Sequence, residues 1–126
     1  MPHETNPVHR RLAEIGLRAG GPFGFALAGG HAIAAHGILD RPSEDVDLFS
    51  DGQQRADFPR AVDAVIAAYQ REGFVIAVDL RLDTFARPHV SRDSSPEEQH
   101  RVELVANWRA QPPVEMQIGP VLHPTT

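Results

Sequence analysis

The sequence predicts an α/β fold of the α+β kind, a mixed sheet of about four to five strands with helices packed on it. Two segments, 6–19 and 57–72, have apolar residues at helical spacing. Segments with the alternation of strands are 23–28, 45–50, 74–81, 85–91 and 100–106. Because a sheet with one apolar face must cover it, we expect the helices to pack against that face.

The length of 126 residues suits one domain with a core of its own. We divide the domain 1–126 into an N-terminal helix region (1–22), a central core (23–109) and a proline-rich C-terminal tail (110–126). The chain has no cysteine, no apolar run of membrane-spanning length and no apolar signal segment. We therefore expect a cytoplasmic protein that does not contact membranes.

The charge pattern narrows the partners. A net charge of −5 argues against a protein that coats nucleic acid by bulk electrostatics. All twelve basic residues are arginines, and none is a lysine. Several arginines lie in the β-rich half, where they either line a groove for an RNA acceptor or, more commonly, are simply solvated; they are Arg81, Arg87, Arg92, Arg101 and Arg109.

The first strand ends at two glycines that open a short helix. We predict a strand over 23–28, a turn at Gly29 and Gly30, and a helix over 31–36. Glycine lets the backbone approach a ligand closely, and the free N–H groups of a helix start favour an anion such as phosphate. This turn is therefore a candidate phosphate contact.

The second strand carries two acids with one residue between them. Side chains alternate along a strand, so Asp45 and Asp47 should share one face while Val46 and Leu48 enter the core. Two neighbouring carboxylates repel each other, and a cation between them would remove that cost. An Asp-x-Asp pair by itself is more often a solvated edge, so the inference rests on its combination with the Gly-Gly turn.

The rest of the chain supplies the remaining elements. Asp57 should cap a helix whose apolar stripe packs in the core, namely Phe58, Val62, Val65 and Tyr69. Pro88 places its strand at an edge or a bulge. We predict a polar loop over 92–99 and one short strand near 114–118.

The chemistry that fits two such acids is nucleotidyl transfer. Mg²⁺ prefers carboxylate and phosphate oxygens, and a pair of metal ions can stabilise the attacking and leaving oxygens of an in-line displacement. A third carboxylate would complete the site, and Glu103 between two apolar strand residues is the best candidate, with Asp79 as the alternative. The structural alternative for Glu103 is an ion pair with Arg101 or Arg87.

The motif Leu27-Ala28-Gly29-Gly30, followed by Arg41, Ser43 and Asp45-Val46-Asp47-Leu48, resembles the polymerase-β-like nucleotidyltransferases. It is most similar to the AbiEii/AbiGii toxins of type IV toxin–antitoxin systems. The segments 84–87 and 102–109 also resemble later strands of that family, so the similarity covers about residues 25–109.

The resemblance implies a nucleotidyltransferase fold and a magnesium- or manganese-dependent enzyme. It would transfer a nucleoside monophosphate from an NTP to a hydroxyl of a tRNA end, a protein or a small molecule, and it would have a cognate antitoxin. Asp45, Asp47 and Glu103 would be the metal-binding and catalytic acids. The nucleotide-binding residues would be Gly29, Gly30, Arg41 and Ser43.

The sequence departs from the family pattern in two places. Family members usually have Asp where this chain has Glu103. They also continue into a helical region with a lysine that contacts the triphosphate. The present sequence has no lysine, and residues 121–126 stand about where that region should begin. The chain is then a fragment or a minimal form in which arginines do that work. The alternative function is a catalytically inactive or truncated module that binds a nucleotide or a partner.

Overall fold

The computed structural model describes residues 7–29, 32, 45–51, 56–107 and 113–122. Two helices, α1 (Pro7–Gly20) and α2 (Phe58–Arg71), and a 3-10 turn (Gly21–Phe23) lie in these parts of the chain. The strands are β1 (Ala26–Ala28), β2 (Asp45–Asp51), β3 (Phe74–Arg81), β4 (Phe85–Arg92), β5 (Ser95–Asn107), β6 (Val114–Met116) and β7 (Gly119–Val121).

The strands form one mixed sheet in the order β3-β4-β5-β2-β1-β7-β6. β2 runs parallel to β5, β1 runs parallel to β7, and the other neighbouring pairs are antiparallel. The predicted α+β class is confirmed, but the sheet has seven described strands where we expected about four to five. The difference arises mainly at the C-terminal end, where two short strands replace the single one expected and join the sheet beside β1.

Both helices pack on the sheet through their apolar faces. The predicted stripe of α2 is confirmed, because Phe58, Val62, Val65 and Tyr69 are at most 2% exposed. The Tyr69 hydroxyl donates a hydrogen bond of 2.8 Å to the backbone carbonyl of Leu12 on α1, which ties the two helices together. A core built in this way leaves the opposite face of the sheet available for polar groups.

Two sequence-based expectations about the strands are wrong. The segment 92–99 is not a loop, because β5 begins at Ser95 and pairs there with Arg92. The exposed polar side chains of residues 97–99 suggested a loop, although the backbone of this segment belongs to the strand that pairs with β4. The first strand is also shorter than expected, because Gly21–Phe23 form a 3-10 turn before it.

Two other expectations are met only in part. Pro88 does not lie on an edge strand, since β4 is between β3 and β5, but the register shifts between Val78 and Leu80 on the facing strand, as the bulge alternative requires. Asp57 occupies the N-cap position of α2 without a side-chain capping bond; it accepts a hydrogen bond from Arg60 instead.

Some expectations fall on other parts of the chain. The short helix predicted over 31–36 lies, apart from residue 32, outside the described residues. Neither α1 nor α2, the helices of the described segments, has the length and apolar character needed to cross a membrane.

Candidate functional site

The two faces of β2 differ completely in chemistry. Val46 and Leu48 are fully buried on the helix side of the sheet, whereas Asp45 and Asp47 are only partly buried. The alternation predicted from the sequence is therefore confirmed, since both carboxylates lie on the face away from the buried valine and leucine. This open face of the sheet holds the candidate site.

The parallel pairing of β2 with β5 decides which residues face the two acids. Asp47 is in register with Glu103, and Asp45 is in register with Arg101. The structure thus brings Glu103, the predicted third acid, next to Asp47. The two strands therefore set two acids, Asp47 and Glu103, next to an acid and a base, Asp45 and Arg101.

Asp47 has the most perturbed electrostatics of the site. The pKa of its carboxyl is raised from 3.8 to about 6, chiefly by burial and also by the charges of Glu103 and Asp45. A hydrogen bond shared with the Glu103 carboxyl acts in the same direction, whereas the Arg101 guanidinium opposes the rise in pKa. A carboxyl whose ionisation is disfavoured in this way is one that a bound cation would stabilise.

Gly29 presses directly against Asp47. Its backbone has φ +67°, in the left-handed region that favours glycine, and a Cβ at this position would overlap the Oδ2 atom of Asp47. The two residues are adjacent because β1 and β2 pair Ala28 with Asp47. The glycine predicted from the motif therefore lies at the acidic site, and only glycine leaves room for the carboxylate.

Asp45 is held by an arginine. The Arg101 side chain donates two hydrogen bonds to it, from Nε to Oδ1 at 2.9 Å and from a terminal nitrogen to Oδ2 at 3.1 Å. This two-pronged geometry is the strong form of an arginine–carboxylate contact. From the sequence, Arg101 was considered as an alternative partner of Glu103 and as an arginine that lines a groove or is solvated, whereas the structure pairs it with Asp45.

Glu103 has its own cation at a longer distance. The Nε atom of Arg87 lies 3.6 Å from its Oε1 atom, beyond a hydrogen bond, and the guanidinium sits 5.4 Å from the centre of the Phe85 ring. Within the described part of the chain, the buried Nε atom of Arg87 has no hydrogen-bond partner. Arg87 was weighed from the sequence as a partner of Glu103, and the structure brings the two together.

Asp79, the alternative third acid, lies elsewhere. It is on β3, which β4 and β5 separate from β2, and its Oδ2 atom lies 3.1 Å from the Nε2 atom of His89. Glu103 is therefore the acid that the structure brings to the Asp pair. The predicted nucleotide contacts Gly30, Arg41 and Ser43 lie outside the described residues.

The donor set fits a hard divalent cation in its chemistry. Carboxylate oxygens are the ligands that Mg²⁺ prefers, and the unfavourable charge on Asp47 marks where positive charge is missing. Among the residues described, no three His, Asp or Glu side chains are already at metal-binding spacing. Asp47 and Glu103 lie opposite each other on β2 and β5, whereas the carboxylate of Asp45 is bound by Arg101.

Comparison with solved structures defines the class of protein first. The fold matches the Helicobacter pylori protein JHP933 with a TM-score of 0.63 at 16% identity, over 96% of this chain and 54% of that one. It matches a candidate nucleotidyltransferase of Helicobacter pylori with a TM-score of 0.57 at 16% identity, over 93% and 53% of the two chains. A candidate nucleotidyltransferase of Thermotoga maritima gives 0.53 at 16% identity, over 98% and 82%.

The fold is therefore that of the nucleotidyltransferases. The family model for the nucleotidyl transferase AbiEii toxin of type IV toxin–antitoxin systems matches residues 17–125, and the chain belongs to this family. A comparison with curated proteins gave no match. The chain spans about half the length of the two Helicobacter pylori structures.

Proposed function

We propose that this chain forms the metal-binding part of a nucleotidyltransferase that moves a nucleoside monophosphate from an NTP to a hydroxyl, and that it acts as the toxin of a toxin–antitoxin pair. The observation that supports the activity most is the register of β2 and β5, which sets Glu103 beside Asp47. Family membership supports the class of reaction and the antitoxin partner.

In the proposed site, Asp45, Asp47 and Glu103 hold the divalent metal, Mg²⁺ or Mn²⁺. The bound metal would neutralise phosphate charge and stabilise the oxygens that attack and leave. Gly29 leaves space for the Asp47 carboxylate and, together with Gly30, lies against the phosphates. Arg41 and Ser43 border the triphosphate pocket in this proposal.

The transfer is an in-line displacement at the α-phosphorus of the NTP. The acceptor hydroxyl oxygen forms a bond to phosphorus while the bond to the bridging oxygen breaks, and pyrophosphate leaves. Glu103 accepts the hydroxyl proton. The acceptor is a hydroxyl of a tRNA end, a protein or a small molecule, and the net charge of −5 favours an acceptor that is recognised locally over one bound by bulk electrostatics.

The test is incubation with each labelled NTP, Mg²⁺ and total tRNA or cell lysate. We expect a labelled product from the wild type and none from Asp45→Asn, Asp47→Asn or Glu103→Gln. Asp79→Asn is the matched control, because this acid also lies between two apolar strand residues but is far from the site. Labelling that survives Asp47→Asn would overturn the site.

The second candidate function is a module that binds a nucleotide without turnover. The contact between Asp45 and Arg101 favours it, because a metal ligand that stays with its arginine leaves the site incomplete. Metal-dependent nucleotide binding without a labelled product would support this candidate. Neither binding nor product with any NTP would overturn both.

A further inference from the structure

Arg101 and a divalent metal need the same carboxylate. Both oxygens of Asp45 accept hydrogen bonds from Arg101, at 2.9 and 3.1 Å, and Asp45 is also one of the acids expected to hold the metal. A guanidinium and a divalent cation beside one carboxylate repel each other. The arrangement seen in the structure therefore suits the protein before the metal binds.

Arg101 can exchange its carboxylate partner Asp45 for a phosphate group. The Arg101 side chain is 43% exposed, so water reaches its head group and helps to replace a lost partner. Phosphate offers a guanidinium the same two-pronged acceptor geometry as carboxylate. The substrate of the proposed reaction carries three phosphates, so it brings both the metal and a new partner for Arg101.

The position of Arg101 in the sheet places it within reach of the reacting groups. It precedes Glu103 by two residues on β5, so both side chains emerge from the same face about 7 Å apart along the strand. Without Arg101, the Asp45 carboxylate would be available beside Asp47, and carboxylate oxygens are the ligands that Mg²⁺ prefers.

We propose that Arg101 competes with the divalent metal for Asp45, and that the phosphates of an incoming nucleotide draw Arg101 away from Asp45. We call this exchange the Arg101 latch. Without a nucleotide, Arg101 occupies Asp45 and keeps metal affinity low. With a nucleotide, Arg101 moves to a phosphate and Asp45 becomes a metal ligand. In this scheme, which rests on the proposed function, Arg101 contacts Asp45 in one state and a substrate phosphate in the other.

The first measurement is the affinity for Mn²⁺ in the absence of nucleotide. The electron paramagnetic resonance signal of free Mn²⁺ reports how much of the ion stays unbound. Because a two-pronged arginine contact is lost, we expect Arg101→Gln to bind Mn²⁺ about tenfold more tightly than the wild type. Arg101→Lys, which keeps the charge but offers a single ammonium, should lie between the two. Arg81→Gln is the control, since it removes an exposed arginine paired with Asp63 on α2.

The second measurement is the affinity for a non-hydrolysable NTP analogue at saturating Mg²⁺. Here Arg101→Gln should bind about tenfold more weakly, because the phosphate has lost its arginine. If Arg101 only supported the fold, Arg101→Gln would lower the affinity for Mn²⁺ and the affinity for the NTP analogue together. Opposite changes in the two affinities from one substitution are therefore the result that the latch requires.

A fixed positive charge near the site would also give opposite changes, so the substitution is repeated in an Asp45→Asn background. The latch acts through Asp45, and the gain in Mn²⁺ affinity from Arg101→Gln must disappear in that background. A gain that persists there shows that Arg101 acts as a static charge and overturns the latch. An unchanged Mn²⁺ affinity in the single variant also overturns it.

The same experiment separates the latch from the proposed function. If Asp47→Asn removes Mn²⁺ binding but Arg101→Gln leaves it unchanged, the metal site stands and only the latch is wrong. If neither the wild type nor Arg101→Gln binds Mn²⁺ at millimolar concentration, the metal site itself is wrong and the latch falls with it. Circular dichroism spectra of each variant confirm that these outcomes come from folded protein.

Discussion

The parallel pairing of β2 with β5 sets side chains opposite each other on both faces of the sheet, and the two faces differ in what those side chains do. On the helix side, Val46 faces Val102 and Leu48 faces Leu104, and all four are fully buried. On the other side, the same ladder pairs acid with arginine and acid with acid. The buried face stabilises the fold, whereas the open face holds a pair of like charges that costs stability and that folding alone does not require.

The largest effect is expected on the buried face. Leu48→Ala removes a fully buried side chain that also touches α1 near Gly16, so the free energy of unfolding should fall by about 3 kcal/mol. Urea denaturation followed by circular dichroism measures this loss. Val75→Ala on β3, where the side chain is 44% exposed, is the control and should lose less than about 1 kcal/mol. Equal losses would contradict the division of the two faces.

The second effect concerns the boundary between β1 and the site. Gly29→Ala combines a left-handed backbone with a Cβ that overlaps Asp47, and we expect a loss of about 2 kcal/mol. Gly73→Ala is a matched control, because Gly73 also has a positive φ (+89°) but its Cβ would meet open space. A loss at Gly73 as large as the loss at Gly29 would show that the carboxylate does not limit the residue at Gly29.

The third effect depends on pH. The carboxyl of Asp47 has a pKa of about 6 in the folded protein against 3.8 for the ordinary group, so the folded state binds the proton more tightly than the unfolded state. Metal-free wild type should therefore lose stability as pH rises from about 4 to about 6 and remain less stable above that range. Asp47→Asn lacks this ionisation and should be more stable by about 1.5 kcal/mol at pH 7.5, a value that allows for partial exposure of the carboxyl.

Thermal or urea unfolding at pH 4 and at pH 7.5 checks this result. The advantage of Asp47→Asn should vanish at pH 4, where the wild-type carboxyl is protonated in the folded state. Asp63→Asn on α2, which replaces an exposed carboxylate paired with Arg81, is measured beside it as the control for a substitution away from the site. An Asn variant equally stabilised at both pH values would contradict the account of Asp47.

The smallest effect on stability is expected at the oppositely charged pair. Because Arg101 is 43% exposed, Arg101→Gln should change the free energy of unfolding by less than about 1 kcal/mol. It should nevertheless move the pH midpoint of the stability loss upward, since Arg101 opposes the rise in the pKa of Asp47. Arg10→Gln on α1 is the control and should leave the midpoint unchanged. A midpoint that moves downward would show that Arg101 does not act on Asp47.

Local pattern made part of the site predictable. Alternation along a strand places Asp45 and Asp47 on one face whatever the strand pairs with, and the structure confirms this. The apolar stripe of α2 was predictable for the same reason, because its period belongs to the helix itself. Both inferences need only neighbouring residues.

The contacts between distant segments were harder to predict. Glu103 was selected by its local surroundings, but nothing near it specifies that β5 runs parallel to β2 with Glu103 opposite Asp47. The partner of Arg101 depends on that register as well: the sequence suggested Glu103 as one alternative, and the structure pairs Arg101 with Asp45. One signal was present: Arg101 and Glu103 have the same spacing as Asp45 and Asp47, so a parallel pairing that sets Glu103 opposite Asp47 also sets Arg101 opposite Asp45.

The central claim is that the acids on the open face are there to hold a divalent cation. The most direct measurement is the shift in thermal unfolding temperature that Mg²⁺ produces at pH 7.5 in the wild type and in Asp47→Asn. We expect Mg²⁺ to raise the unfolding temperature of the wild type, because it binds the folded state at Asp47 and Glu103, and to leave that of Asp47→Asn unchanged. An equal rise in both proteins would show that the cation binds elsewhere and would contradict the claim.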